Sequence, residues 1–333
     1  MKYINDIIKE YNNLGIGEQI DYAKFYMYSI ITHSTAIEGS TVTEIENRLL
    51  FDEGIGTQKP LIEQMMNLDL KVAYEQSLIY AREHRDYSVE LLCKLSALVM
   101  KNTGTEYNTM LGNFSSAKGE LRLLNVSAGL GGKSYISYQK VPVLLEEFCK
   151  WLNSQRKCLN TDYESIYNLS FEAHYRLLCI HPWADGNGRM SRLVMNMIQY
   201  EFGVVPSIVK KEKRKQYIES LERSQDEENS TPFLSFMLKH HCDNILEQIA
   251  EFKKSIEKTS VNIVNVADKL TERQKIIINI IQNVAVNVAV NTKYLSEKLC
   301  VNRKTIQRDL VELQKRQLIK WVGSDKTGRW EII

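Results

Sequence analysis

The stretch His181-Pro182-Trp183-Ala184-Asp185-Gly186-Asn187-Gly188-Arg189, with Arg192 three residues further on, decides the fold and the chemistry of this chain. An apolar helical pattern precedes it from Asp162 to Ile180, and a second helical pattern follows it from Arg189 to Phe202. A proline and two glycines between helical patterns are typical of a tight connection. The segment therefore predicts a helix, a short loop and a second helix.

The loop and the start of the second helix have the composition of a phosphate-binding site. Glycine lets the backbone approach an anion closely, so Gly186 and Gly188 favour an anion cradle. The N-terminus of a helix adds unpaired N–H groups and a favourable dipole. Arg189 and Arg192 are three residues apart, which places them on one helix face, and their guanidinium groups suit phosphate oxygens.

The same segment offers a base and a metal ligand. His181 accepts a proton near neutral pH, and the carboxylate of Asp185 is the kind of oxygen ligand that Mg²⁺ takes together with substrate phosphates. Each residue alone has an ordinary structural explanation, such as a packed histidine, a turn or a solvated arginine pair. Their occurrence together, in this order, indicates nucleotidyl transfer, which needs positioning and charge stabilisation.

The segment resembles the Fic family motif H-P-F-x-D/E-G-N-G-R-x-x-R, and only Trp183 departs from it, standing where phenylalanine is usual. The resemblance implies specific roles. His181 deprotonates the acceptor hydroxyl, Asp185 holds Mg²⁺ between the α- and β-phosphates, and Arg189 and Arg192 bind the β- and γ-phosphates. The anion nest that it implies consists of Gly186, Asn187 and Gly188, with Asn187 also near the α-phosphate.

A second motif of the same family lies upstream. Ser34-Thr35-Ala36-Ile37-Glu38-Gly39 resembles its inhibitory pattern S/T-x-x-x-E-G/N, and it follows the helical pattern Ile20–Ile37. The resemblance implies an N-terminal inhibitory helix in which Ser34, Glu38 and Gly39 belong to the inhibitory motif and Glu38 lies opposite Arg192.

Three weaker resemblances complete the expected site. Gly119-Glu120-Leu121-Arg122 is similar to the G-x-x-R that precedes the family's flap. The flap, a β-hairpin that pairs with the target segment as an added strand, is expected within residues 119–139. Tyr217 resembles an aromatic position that lines the adenine pocket. His174 shares a helix face with His181 and is expected to pack rather than react.

The C-terminal segment reads as a separate module. Residues 271–333 hold twelve basic and six acidic residues, whereas the rest of the chain holds 31 and 35. Three helical patterns followed by two strands, Ile319–Val322 and Arg329–Ile332, resemble a winged helix-turn-helix. In its third helix four polar residues face away from the apolar positions and are candidates for contacting DNA: Arg303, Lys304, Gln307 and Arg308. Docking to a protein is the alternative.

The composition sets outer bounds. Sixteen glycines and five prolines in 333 residues favour helices over an all-β fold. The six cysteines contain no C-x-x-C pair, which favours a reducing compartment. The first residues lack the apolar core of a signal peptide and no apolar run reaches membrane length, so we expect a soluble, cytoplasmic protein without membrane contact.

The sequence therefore predicts a mostly α-helical protein with a Fic-type helical core, a small β-hairpin flap and a C-terminal winged-helix domain. The expected organisation is an N-terminal helical region with the inhibitory helix (1–85), a catalytic core (86–254), a linker (255–270) and the winged helix (271–333).

The expected function is transfer of AMP from Mg·ATP to a Ser, Thr or Tyr hydroxyl of a target protein, with inhibition by Glu38. The alternatives are a DNA-binding regulator whose core senses nucleotide, and an enzyme that removes AMP. ATP, Mg²⁺ and a target protein are the expected partners, with duplex DNA as a further candidate. The sequence does not identify the target, the nucleotide donor or the oligomeric state, for which a homodimer is one candidate.

Overall fold

The computed structural model describes residues 4–18, 22–127, 134–160, 162–267, 270–284, 290–299, 301–323 and 328–333. It forms two compact units, Met1–Ile249 and Ala250–Ile333. The first unit therefore holds the predicted N-terminal region (1–85) and the predicted catalytic core (86–254) up to Ile249. No described helix is both long and apolar enough to cross a membrane.

The first unit consists mainly of helices. They are α1 (Ile4–Asn13), α2 (Tyr22–Ile37), α3 (Glu44–Arg48), α4 (Leu61–Arg82), α5 (Val89–Val99), α6 (Val141–Lys157), α7 (Tyr163–Ile180), α8 (Asn187–Glu201), α9 (Arg214–Asp226) and α10 (Thr231–Ala267). Only the part of α10 up to Ile249 belongs to this unit. Short 3₁₀ or π turns join several of the helices.

Helix α8 forms the centre of the first unit. It packs against α4, α5 and α7, and its residues from Arg189 to Gln199 are all buried. Several of its buried polar side chains are hydrogen-bonded. For example, Asn196 donates to the backbone oxygen of Ser207 (2.9 Å), and Gln199 donates to the Ser170 hydroxyl (2.9 Å). The N-terminal end of α8 is thus held rigidly from three sides.

The helices that hold this end begin at ordinary capping residues. Asp162 accepts a hydrogen bond from the Ser165 N–H (3.0 Å) at the start of α7, and Ser88 accepts one from the Leu91 N–H (3.1 Å) at the start of α5. Side-chain acceptors of this kind satisfy N–H groups that have no partner within the helix.

The first unit has a β-hairpin that the sequence did not predict. The regular antiparallel ladder joins β1 (Glu106–Thr109) to β2 (Gly112–Ser115), upstream of the expected flap. Within residues 119–139 the structure has a single antiparallel bridge, Ser127 to Ser134, and residues 128–133 lie outside the described part of the chain. The Tyr107 and Phe114 rings stack across β1 and β2, with centroids 4.8 Å apart, which explains why the ladder forms there.

Beyond the end of α10, the described residues of the second unit form three helices and a two-stranded sheet. They are α11 (Glu272–Val284), α12 (Thr292–Leu299), α13 (Arg303–Lys315), β3 (Ile319–Val322) and β4 (Arg329–Ile332). The strands pair antiparallel with Ile319 opposite Ile332, and they have the predicted bounds. Helix α10 continues to Ala267, through most of the predicted linker, because residues 255–267 contain neither proline nor glycine to end it.

The face of α13 follows the predicted pattern. Ile306, Leu310 and Leu313 are buried in a core shared with α11 and the sheet. The exposed side of the helix carries the four candidate DNA-contacting residues, Arg303, Lys304, Gln307 and Arg308. An ion pair from Arg273 on α11 to the buried Asp309 (2.5 Å) fixes the helix within the unit.

Candidate active site

The turn between α7 and α8 carries the predicted motif. Helix α7 ends at Ile180, and His181 follows in the left-handed conformation (φ 51°), with its N–H donating to the Leu177 oxygen (3.0 Å). A residue other than glycine adopts this conformation only when its surroundings impose it. Gly186 (φ 82°) then caps α8, and a Cβ there would lie 2.7 Å from the sulfur of Met100, directly after α5. Glycine is favoured at position 186 by the left-handed conformation, and Met100 leaves little room for a side chain.

Arg122 imposes the position of His181. Its buried guanidinium donates from Nε to the His181 oxygen (2.8 Å), from Nη1 to the Leu124 oxygen (2.8 Å) and from Nη2 to the Ile136 oxygen. Its own N–H donates to the Pro182 oxygen (3.1 Å). One arginine thus ties the segment expected to form the flap to the loop that carries the histidine. The sequence singled it out only as the end of a G-x-x-R pattern.

Two side chains hold the loop from inside. Trp183 is fully buried, and its Nε1 donates to the Gly119 oxygen (3.0 Å), so the tryptophan is a core anchor. The amide of Asn187 accepts from the Trp183 N–H (3.1 Å) and donates to the Trp183 oxygen (2.8 Å). The Asn187 side chain is therefore committed to the loop, and its backbone N–H, rather than its amide, is the group that faces an anion at the start of α8.

The two motif arginines are both buried but contact different elements. Arg189 donates to the sulfur of Met100, directly after α5 (3.1 Å), and lies 3.7 Å from the Asp185 carboxylate. Arg192 faces α2 instead, donating from Nε to the Ser34 hydroxyl (2.8 Å) and from Nη2 to the Ser34 backbone oxygen (2.9 Å). The two arginines therefore occupy separate positions.

Glu38 pairs with Arg192 at the same place. Its Oε1 accepts a hydrogen bond from Arg192 Nη2 at 2.5 Å, and a Cβ at Gly188 would lie only 2.4 Å from that oxygen. The carboxylate thus lies over the first turn of α8, whose leading N–H groups have no acceptor within the helix. Helix α2 ends here, and Gly39 adopts a left-handed conformation (φ 105°) directly after Glu38.

A buried polar network, which the sequence did not reveal, supports this end of α2. Thr35 lies 2.9 Å from the Asn67 side-chain oxygen, to which Asn47 donates at 3.0 Å. Asn67 in turn donates to the Ser40 hydroxyl (3.1 Å), just beyond Gly39. Fully buried networks of this kind hold a single geometry, so the backbone around Glu38 is well defined.

The charges around Glu38 keep it ionised. Burial by itself would raise the pKa of the Glu38 carboxyl, but Arg192, together with Arg189 and Arg214, holds it below the ordinary value. Burial likewise would lower the pKa of Arg192, and Glu38 raises it. Arg214 also donates to the backbone oxygen of Ile37 (2.8 Å), at the end of α2.

His181 is a neutral base in this environment. Burial of its ring lowers its pKa to about 4, and Arg122 lowers it as well, while Glu38 opposes the shift. The ring stacks on Tyr135, with the centroids 3.7 Å apart and the planes at 19°. Tyr135 comes from the expected flap segment, where its N–H donates to the Val126 oxygen (3.0 Å). At neutral pH the imidazole can therefore accept a proton.

A cavity of about 200 Å³ brings most of these groups together. Glu38, His181, Gly188, Arg192 and Tyr217 all line it, whereas Asp185 and Arg189 do not. The dimensions and the mixed apolar and charged lining suit part of a nucleotide, with the anion end marked by the start of α8.

Tyr217 lies in the wall of this cavity. Its hydroxyl is 2.9 Å from His174 Nε2 and 3.5 Å from Arg192 Nη1. His174 is fully buried and stacks on Phe233 with centroids 5.0 Å apart, so it packs, as the sequence predicts.

Asp185 is suited to a metal that arrives with its substrate. Its side chain is 60% exposed, and one carboxylate oxygen accepts from the Gly186 N–H (2.6 Å), which leaves the other available. Among the described residues no group of three or more His, Cys, Asp or Glu side chains forms a metal cage. A single carboxylate at an anion cradle fits Mg²⁺, which usually keeps waters and binds through one or two carboxylates and substrate phosphates.

A family model and several known proteins match parts of this chain. The Fic/DOC family model matches residues 86–199. The chain is 25% identical over 282 residues to the protein adenylyltransferase fic-1 of Caenorhabditis elegans, covering 82% of this chain and 51% of that protein. It is 29% identical over 213 residues to the protein adenylyltransferase Fic of Drosophila grimshawi, covering 62% and 40%. The chain thus spans about half the length, or less, of these curated relatives.

Solved structures share the fold. A Fic domain-containing signaling protein from Bacteroides thetaiotaomicron superposes with a TM-score of 0.63 at 18% identity, covering 75% of this chain and 97% of that one. A Fic family protein from Desulfovibrio desulfuricans superposes with a TM-score of 0.58 at 19% identity, covering 100% and 97%. The motif, the helical fold around it and the matching family model agree: residues 86–199 of this chain are a Fic domain.

Proposed function

We propose that this protein is an adenylyltransferase that transfers AMP from ATP to a hydroxyl group of a target protein. The observation that carries the proposal is the meeting of a neutral histidine, His181, with an anion-binding helix end at Gly188 and Arg192 in one cavity. The names of the curated relatives, which are protein adenylyltransferases, support the same reaction.

The proposed reaction needs a base and a cradle for the leaving group. The acceptor oxygen attacks the α-phosphorus of ATP, the bond from that phosphorus to the bridging oxygen breaks, and pyrophosphate leaves. His181 takes the proton of the acceptor hydroxyl. The N–H groups at the start of α8 and the guanidinium of Arg192 hold the phosphate charge, which is the main source of catalysis in phosphoryl and nucleotidyl transfer.

Mg²⁺ is the proposed cofactor, and Asp185 would be its protein ligand. Bound there, it would neutralise phosphate charge as the leaving group departs. The exposed position of Asp185 beside the cradle supports this assignment, and its partner Arg189 would balance the remaining charge.

We further propose that Glu38 inhibits the enzyme. Its carboxylate pairs with Arg192 and lies over Gly188, which is where a terminal phosphate of ATP would place its own charge. A nucleotide bound beside it would be displaced from the position for in-line attack. Removal of AMP from a modified protein, with Glu38 orienting the attacking water, is the alternative use of the same groups.

The test distinguishes the proposed role of His181 as the base from that of Asp185 as the metal ligand. His181→Ala is expected to abolish labelling of proteins by α-labelled ATP while keeping Mg·ATP affinity within about twofold, because the imidazole acts only in the chemical step. Asp185→Ala is expected to weaken ATP binding in the presence of Mg²⁺ and to leave metal-free binding unchanged. Calorimetry with and without Mg²⁺ measures both effects. Full labelling activity in His181→Ala would overturn the assignment of the base.

A second proposed function belongs to the C-terminal unit, which we propose is a winged helix that binds duplex DNA. The observation that favours it is the row of exposed polar residues on α13, in a unit with twice as many basic as acidic residues over 271–333. In the full chain, replacing Arg303, Lys304 and Arg308 together by alanine is expected to weaken DNA binding. The slope of the logarithm of the binding constant against the logarithm of the salt concentration is expected to become shallower by up to about three. Unchanged binding, or none by the parent chain at low salt, would favour protein docking.

A further inference from the structure

Two more cavities lie beside the candidate active site and continue it along the surface of the first unit. One, of about 460 Å³, is lined by Tyr135, Ile136, Tyr175, Cys179 and Glu228, among others. The other, of about 320 Å³, lies between α6 and α7. Tyr135 and Gln225 line both the active-site cavity and the first of these, and Tyr175 and Cys179 line both of the outer cavities. The three cavities therefore form one path, and we call its two outer parts the acceptor groove.

Tyr135 lies between the acceptor groove and the active-site cavity, where the nucleotide is proposed to bind. Its ring stacks on His181 and faces the groove as well as the active-site cavity. A polypeptide lying in the groove would therefore bring a side chain to His181 by passing the edge of Tyr135. This position makes the groove continuous with the place where the acceptor hydroxyl must react.

The far end of the groove is aromatic. Phe148 and Trp151 of α6 and Tyr175 of α7 line it. Arg176 also lines it, but its guanidinium lies 4.1 Å from the Trp151 ring centroid and donates to Glu172 (2.8 Å), so its charge is already balanced. An apolar pocket with balanced charge favours a large apolar side chain.

Carboxylates lie along the rest of the path. Glu222 lines the active-site cavity, Glu228 the middle of the groove and Glu147 its far end. All three side chains are exposed, and none makes an ion pair with any residue in the described part of the chain. Three unbalanced carboxylates along one path attract a cationic side chain and disfavour an acidic one.

We propose that the acceptor groove selects the target of the transfer reaction, binding an extended segment with a lysine or arginine close to the acceptor hydroxyl and an aromatic or large aliphatic residue further along. The inference rests on the proposed transferase function, since the groove leads to the base of that reaction. The basic residue lies near Glu228, and the apolar residue enters the pocket formed by Phe148, Trp151 and Tyr175.

The experiment uses the full chain with Glu38→Gly, α-labelled ATP and a synthetic peptide library. Each peptide has a fixed central serine, threonine or tyrosine, and one other position at a time is fixed while the rest vary. Labelled peptides are expected to be enriched about fivefold for Lys or Arg at a position near the acceptor and about tenfold for aromatic residues at a more distant one.

Variants test which part of the groove makes each selection. Glu228→Lys is expected to remove or reverse the preference for a basic residue, and Trp151→Ala to remove the preference for an aromatic one. Glu219→Lys is the matched control, because Glu219 is an exposed glutamate of α9 that lines none of the three cavities. Since Glu228 and Trp151 do not line the active-site cavity, the increase in melting temperature on adding ATP is expected to be the same in all of these variants.

The outcomes separate the two proposals. If Glu38→Gly labels itself but labels no peptide, or labels peptides without positional preference, the groove does not select the target. If the preferences appear but Glu228→Lys and Trp151→Ala both leave them unchanged, the selecting surface lies elsewhere, on a folded target or a second copy of the chain. If neither the protein nor any peptide is labelled, the transferase proposal fails and the groove proposal fails with it.

Discussion

Replacement of Glu38 by glycine is expected to activate the enzyme and, at the same time, to destabilise its nucleotide-free form. In the structure the Glu38 carboxylate pairs with Arg192 and lies over the start of α8. The change removes this carboxylate from the anion cradle. It leaves Arg192 with its two hydrogen bonds to Ser34, so the guanidinium stays near its present position.

The stability cost follows from the burial of the pair. Breaking a fully buried ion pair by removing one partner costs about 3–5 kcal/mol. Only Arg192 is fully buried here, with 4% of its side chain exposed against 35% for Glu38, so solvent screens part of the interaction. Because Ser34 also keeps the guanidinium hydrogen-bonded, we expect a loss of about 1–2 kcal/mol in the free energy of unfolding. This corresponds to a melting temperature lower by roughly 3–6 °C.

The gain in rate follows from the geometry of the nucleotide. Under the proposed inhibition, Glu38 would keep the terminal phosphate from Arg192 and leave the α-phosphorus out of line with the acceptor. A displacement of about 1 Å costs on the order of 10²-fold in rate, so the variant is expected to modify itself about 10²-fold faster. In Glu38→Gly, a phosphate of ATP can replace the missing carboxylate as the partner of Arg192. We therefore expect ATP to stabilise Glu38→Gly more than it stabilises the parent chain.

The assay compares self-modification by the parent chain and Glu38→Gly at equal enzyme and Mg·ATP, with Glu38→Gly/His181→Ala as the blank. Glu38→Gln retains the shape of the side chain without its charge, and we expect an intermediate rate. Ser34→Ala removes one acceptor from Arg192 and leaves Glu38 in place, so a smaller activation is expected. Equal rates for the parent chain and a folded Glu38→Gly variant would refute the inhibitory role.

Three further predictions concern His181 and the loop that carries it. In the Glu38→Gly background, which lacks the charge that raises the pKa of His181, the acid limb of the pH–rate profile should lie at or below about 4. Tyr135→Ala should expose His181 and move this limb toward 6.5, while Tyr135→Phe should leave it in place; no movement in Tyr135→Ala would contradict the role of the stack. The pKa of His181 in the folded chain is about 4, below its value in the unfolded chain, so the unfolded chain binds more protons between pH 6.5 and 4. The free energy of unfolding, measured with urea, should therefore decrease as the pH falls through this window. Arg122→Ala leaves three carbonyl oxygens without their donor and should lower the free energy of unfolding by several kcal/mol, whereas a loss below about 1 kcal/mol would show that the flap segment does not depend on it.

Much of the site was predictable because the motif is local. The loop between α7 and α8, the glycine cap of α8 and the core position of Trp183 all follow from residues within nine positions of one another. The bounds of β3 and β4 were predicted for the same reason, since alternation and turn residues act within a few residues. The position of Glu38 opposite Arg192 was expected only through resemblance, because 154 residues separate the two.

The omissions concern contacts that no local pattern encodes. The β1–β2 ladder, across which Tyr107 and Phe114 stack, was not predicted, and the segment expected to form the flap has one antiparallel bridge among its described residues. The sequence did not show that the Asn187 amide holds the Trp183 backbone. It also did not show that Arg189 contacts Val99 and Met100 at the end of α5 whereas Arg192 contacts α2.

The sequence by itself determined where the candidate site lies, since a histidine, two glycines and two arginines occur at fixed spacing around the start of one helix. Only the tertiary structure decided how those groups are arranged. Arg122, 59 residues from His181 along the chain, sets the strained histidine backbone, and Tyr135 covers its ring. The physical reason is the distance along the chain over which each effect acts. Helix periodicity and capping depend on residues within one or two helical turns, whereas burial, pKa shifts and ion pairing depend on which distant elements pack together.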